Sequence, residues 1–292
     1  MGKSVHLVYV TFLVVLGVLT TITIGIHGWT YYATPIPERP FHPEYESLKP
    51  TGLYGQGFGV IGTLMITFGV VMYSSRKRLR IFSGLGRLKS FLEFHIFLCL
   101  VGPVLVLYHT TFKFGGLVAV SFWSMTAVVM SGVIGRYFYT QIPKGIQGNE
   151  LTVGELTSEN ERLGEQMMVK FRLPNTVIRQ IDAIALPSKP VAQMSLLEVL
   201  NFFVMNDLTR RGKLRAVFAR ISQTTTNPRV VRRLKSIAYR RMTLTRRTAF
   251  LEKFKLIFHY WHVVHLPFSI VMFIILFVHV GVAVAFGYTW IF

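Results

Sequence analysis

Cysteine is nearly absent: Cys99 stands alone in 292 residues, inside an apolar run. One cysteine excludes an internal disulfide, a cysteine-ligated iron–sulfur cluster and the paired-cysteine attachment of a covalent haem. Acids are scarce too, 13 Asp and Glu against 32 Lys and Arg, giving a formal charge of +19. The bases stand in blocks between apolar runs, as in the loops of a membrane protein. The polyanion they suit is the lipid headgroup layer rather than nucleic acid. No glycine-rich G-x-G-x-x-G turn follows a strand pattern, so no dinucleotide site of that kind is expected. Repeats and low-complexity tracts are also missing.

Apolar residues are plentiful. The chain is 51% hydrophobic with a mean hydropathy of +0.46, beyond the range of an ordinary soluble protein. Apolar runs near 7–27, 56–74, 91–111, 116–138 and 262–287 each approach the roughly 20 residues that span a bilayer. The first lacks a small-residue cleavage site and reads as a retained helix. Expected divisions are 1–138 for the first four spans, 139–261 for a basic extramembrane segment, and 262–292 for the fifth span and C-terminus. The 75–90 connection carries Arg76, Lys77, Arg78, Arg80, Arg87 and Lys89 without an acid, whereas 28–55 is mixed in charge. The positive-inside rule then puts the N-terminus in the cytoplasm and the C-terminus outside, in a prokaryotic-type inner membrane. That orientation makes the third and fifth spans parallel.

Within 139–261, Thr152–Glu155, Ser158–Glu161 and Ser195–Glu198 read as capping boxes, and Pro174, Pro187 and Pro190 as breaks between short helices. From Asn206 to His259 the pattern predicts basic amphipathic helices lying against the membrane face and leading into the last span.

Four histidines carry the chemistry. His95 and His109 lie fourteen residues apart in the third span, as do His265 and His279 in the fifth. Fourteen residues return to within about 40° of four full turns and rise about 21 Å, so each pair shares a face and reaches two depths. On parallel helices His95 meets His265 at the cytoplasmic level, and His109 meets His279 at the external one. Two imidazoles at each of two depths is the ligand set of two six-coordinate haems, and ligation makes an intramembrane histidine tolerable. His262 and His259 fall about 100° and 160° away from His279 around the helix. They read as interfacial partners of Tyr260 and Trp261, and His27 and His42 as surface groups.

Gly102 lies midway between His95 and His109, and Gly55, Gly62 and Gly69 recur every seven residues. They allow close approach of a flat macrocycle; small-residue helix packing accounts for them equally well. Arg80 and Arg136 near the cytoplasmic level, with Arg87 and Lys89, and Lys113 near the external one are candidate partners for haem propionates. Trp29, Tyr31, Tyr32 and Tyr54 read as an interfacial aromatic belt, with a quinone pocket as the alternative.

The stretch from His95 to His109, Trp261-His-Val-Val-His265-Leu-Pro and the two equal intervals resemble the ferric-reductase-type transmembrane domain. More loosely, they resemble the dihaem core of quinol-oxidising cytochromes b. The likeness covers the membrane portion and implies a helical bundle holding two haems b through His95, His109, His265 and His279. Leu266-Pro-Phe-Ser269 is superficially like a flavin-binding motif of that family but falls inside the fifth span, so the reductase half is expected to be missing or supplied by another polypeptide. The expectation is therefore an all-α integral membrane protein: five spans forming a dihaem bundle, plus a basic helical cytoplasmic segment. It would move electrons across the membrane with quinone and other redox subunits or soluble carriers as candidate partners. Alternatives are a haem-bearing anchor that docks an oxidoreductase, and a non-haem transporter or scaffold using histidine for protons or zinc.

Overall fold

A computed structural model describes residues 3–82, 84–143, 151–221 and 228–288. The chain is 84% helical, with no strand among the described residues. In chain order the helices are α1 (Lys3–His27), α2 (Trp29–Ala33), α3 (Tyr45–Leu48), α4 (Leu53–Arg78), α5 (Leu88–His109) and α6 (Gly116–Gln141). There follow α7 (Val153–Phe171), α8 (Asn175–Ala185), α9 (Leu196–Ile221), α10 (Pro228–Ala249) and α11 (Leu251–Ala285). Five helical stretches, 4–27, 45–78, 88–109, 118–141 and 251–285, are long and apolar enough to cross a membrane. Large apolar side chains such as Val8, Phe12, Ile274 and Phe277 point outward from them, a surface suited to lipid and costly in water.

Helix ends differ from the apolar runs in an instructive way. α4 continues to Arg78 and α11 begins at Leu251, eleven residues before the expected span. Arg and Lys have good helix propensity, so a charged turn prolongs a helix that hydropathy alone would stop.

The chain divides into two compact units, residues 1–133 with 264–292, and residues 134–263. In the first, α4 and α5 pack antiparallel. Gly62 and Gly102 meet there: a Cβ on Gly62 would lie 2.7 Å from the Gly102 carbonyl oxygen, and one on Gly102 would lie 2.7 Å from Ile66 Cγ1. α1 runs parallel to α5, with His6 against Glu93, Gly17 against Val101 and Gly25 against Tyr108. α6 and α11 are antiparallel, since Ser121 bonds the Met272 carbonyl and Ser131 meets His265.

The second unit has its own core. α7 opens with a reciprocal capping box between Thr152 and Glu155, and Ser195 and Glu198 cap α9 in the same way. Ser158–Glu161 is not a cap: Ser158 lies inside α7 and its hydroxyl bonds the Gly154 carbonyl. Pro174 caps α8, and Pro187 and Pro190 separate α8 from α9. Leu234, Ala238 and Met242, one turn apart along α10, are buried among Met167, Ile178, Ile181, Leu214 and Phe218. The apolar stripe expected to lie against a membrane face is thus used by the unit's own core.

Inside this unit Arg246, 2% exposed, pairs with Asp207 Oδ1 at 2.5 Å and lies 4.4 Å over the Phe203 ring. Tyr137 donates to the other Asp207 oxygen at 2.7 Å, and Arg210 approaches Oδ1 at 3.2 Å. Burial pushes the Asp207 pKa up, but the Arg246 and Tyr137 hydrogen bonds with the Arg246 and Arg210 charges outweigh it. The carboxyl is held below its ordinary range.

Candidate functional site: paired histidines at two depths

His95 and His109 share one face of α5 and both turn toward α4. His95 Nδ1 lies 3.1 Å from the Gly69 carbonyl oxygen, and His109 Nδ1 lies 2.9 Å from that of Gly55. A carbonyl can only accept, so each Nδ1 carries the proton and each Nε2 keeps its lone pair. Gly55 and Gly69 supply these acceptors through their backbone. Gly69 packs on Leu98 and Cys99, while Gly55 sits against the carbonyls of Leu48 and Lys49. Tyr73 stacks on His95 with centroids 5.3 Å apart.

On α11, His265 Nδ1 lies 2.7 Å from the Ser131 hydroxyl of α6. That hydroxyl donates its proton to the Val128 carbonyl at 2.9 Å, so it accepts from His265 and sets the same tautomer. Gly132 borders this imidazole, 3.8 Å from the place of its missing Cβ. His279 lies near enough to His109 for the two rings to interact electrostatically.

The two spans run the same way. His109 of α5 lies within electrostatic range of His279 of α11, and Val106, one turn before His109, packs on the buried cluster of Ile66, Met125 and Met272. Met272 lies seven residues from both His265 and His279. An apolar cluster therefore lies between the two histidine depths. Imidazoles fixed in this tautomer can ligate a metal ion through Nε2. No group of three or more His, Cys, Asp or Glu that could hold a metal ion converges among the described residues.

The other expected residues fall as follows. Gly62 and Gly102 face each other in the α4–α5 contact, which is the small-residue packing reading. Lys113 is exposed just beyond α5. Lys89 lies 3.6 Å from Glu93. Arg80 is in a short 3-10 turn, and its side chain lies outside the described residues. Arg136 belongs to the second unit, over the Tyr139 ring at 5.8 Å. Trp261, also in that unit, packs on Gly135 and stacks on Phe258. Tyr31, expected in an aromatic belt, is fully buried among Tyr32 and His42.

Three residues escaped the sequence reading. Ser131 sits one turn beyond Ala127 on an unremarkable apolar face, and only the fold brings it to His265. His6 Nε2 meets both oxygens of Glu93 at 3.0 and 2.9 Å; an acid inside an apolar run was the available signal. Arg39, 4% exposed, donates to the carbonyls of Tyr32, Thr34 and Thr111 and ties the segment after α2 to the end of α5. Comparison with family models, with curated proteins and with solved structures returns no match for this chain.

Proposed function

We propose that the chain is a b-type dihaem membrane cytochrome that carries electrons between the two faces of a bilayer. His95 and His265 would hold one haem, and His109 and His279 the other. The single observation that carries this reading is the Nδ1 hydrogen bonding of His95, His109 and His265. Each bond fixes the tautomer a ligand needs, at two depths on helices running the same way. Bound haem supplies a one-electron iron couple. The chain's own part is to orient each imidazole through Gly69, Gly55 and Ser131, and to keep water from the layer around Met272. The likeness to ferric-reductase-type and quinol-oxidising cytochromes rests on the histidine spacing alone. Quinone or quinol, with a partner redox protein, is the candidate exchange chemistry at the faces.

The test is pyridine haemochrome quantification on the purified chain, with a redox titration. Two haems per chain with two separable midpoints are expected. A colourless, folded preparation overturns the proposal and leaves the proton or zinc reading.

A second reading, a haem-bearing anchor that docks an oxidoreductase, draws support from the separate core of residues 134–263, a unit of a size to present a surface of its own. A flavoprotein, iron–sulfur or multihaem subunit that copurifies favours this reading. Haem reduction by quinol in the isolated chain favours a quinone-reactive enzyme.

A further inference from the structure

Between Asp207 and Glu252 lie 44 residues with thirteen Lys and Arg and no acid. The C-terminal part of α9 and all of α10 come from this stretch, and a groove of about 440 Å³ lies between the two helices. Its lining is Arg211, Leu214 and Arg215 with Phe218 from α9, and Arg232, Lys235, Ser236 and Tyr239 from α10. Arg211 and Arg215 are one turn apart, and the α10 residues recur at helical spacing, so each helix offers one cationic face to the gap.

Several cations elsewhere in this unit have carboxylate partners: Arg240 pairs with Glu159, Arg241 with Asp182, Arg246 with Asp207 and Lys189 with Glu198. The groove cations differ. Among the described residues Arg211, Arg215 and Arg232 make no ion pair or hydrogen bond, and Lys235 Nζ lies 5.9 Å over the Phe218 ring. Beside them Arg210 stacks on Tyr239 at 5.3 Å, and its buried Nε has no acceptor. The two rings hold Lys235 and Arg210 in place, which lowers the entropy lost when an anion is bound. Four uncompensated charges repel one another, and a multiply charged anion relieves that repulsion. Guanidinium forks match phosphate oxygens bidentately, and Ser236 adds a hydroxyl donor. The volume lies within the usual range for a small-molecule site.

The geometry points to a binding site for a ligand carrying two or more phosphates, seated between α9 and α10. It stands apart from the haem reading and from the histidines.

Calorimetric titration of the full chain in neutral detergent with tripolyphosphate tests the site. Saturable binding is expected, weakened at least tenfold in the double variant Arg211→Gln/Arg232→Gln. The control Lys213→Gln/Arg233→Gln, which removes two exposed cations outside the groove, should change affinity less than twofold. Circular dichroism checks that both variants fold. Equal loss in the two variants, or no saturable binding, overturns the proposal, because it reduces the effect to diffuse charge. Polyglutamate bound as tightly and with the same sensitivity also overturns it, in favour of an acidic polypeptide. A parallel titration with cardiolipin, a lipid carrying two phosphates, in the micelles assigns the source: displacement of tripolyphosphate makes the phosphates a lipid headgroup, and its absence makes the ligand soluble. Both results uphold phosphate chemistry.

Discussion

His109 donates from Nδ1 to the carbonyl oxygen of Gly55 at 2.9 Å, across the contact between α4 and α5. The first prediction tests the partnership this orientation implies. His109→Ala and His279→Ala should each lower haem content from two to one per chain and remove the same redox midpoint. His95→Ala and His265→Ala should both remove the other. If His109→Ala and His279→Ala abolish different midpoints, the pairing is wrong.

Ser131→Ala removes the acceptor that holds His265. The loss of such an outer partner lowers metal affinity by about 10–100-fold. We expect faster haem loss on dilution and an altered low-spin electron paramagnetic resonance signal for one centre, with the other unchanged. Ser131→Thr, which restores a hydroxyl, should recover the signal.

Gly102→Ala places a methyl 2.9 Å from the Gly62 carbonyl oxygen, which is backbone and cannot swing aside. Overpacking of this kind costs about 1–3 kcal/mol, so the thermal midpoint in detergent should fall. Gly281→Ala, with nothing near its new methyl, should leave it unchanged.

Asp207 carries a lowered pKa in the folded chain, so its contribution to stability is present above the ordinary carboxylate range. It is lost as pH falls through that range toward the folded value. Hydrogen-exchange protection factors in α9 and α10 should therefore fall below about pH 4. Asp207→Asn should remove this acid dependence. It should also destabilise the unit by about 3 kcal/mol, because Arg246 stays buried without its counter-charge.

Much of the bundle was legible because lipid-facing helices need long apolar runs, and only helices satisfy their own backbone in that solvent. The histidine intervals were legible for the same reason: helical periodicity turns equal spacing into a shared face. Ser131 was not, since one hydroxyl on an apolar helix gains meaning only from the helix packed against it. Gly62 and Gly102 were ambiguous until the fold put them opposite each other. The Ser158 motif failed because Thr152 had already started the helix, and a serine inside a helix bonds backward to a carbonyl. The apolar stripe of α10 was correctly seen and wrongly assigned, because a pattern cannot tell a lipid surface from a neighbouring helix.

The fourteen-residue interval has an electrical meaning. An electron passed between the two histidine depths crosses about 21 Å of a hydrocarbon layer about 30 Å thick. Transit of a full charge through the layer is worth about 2.3 kcal/mol per 100 mV, so this step would do about 1.6 kcal/mol of work per 100 mV against or with the field. On the proposed dihaem reading, the bilayer voltage would thereby become a control on which depth holds the electron.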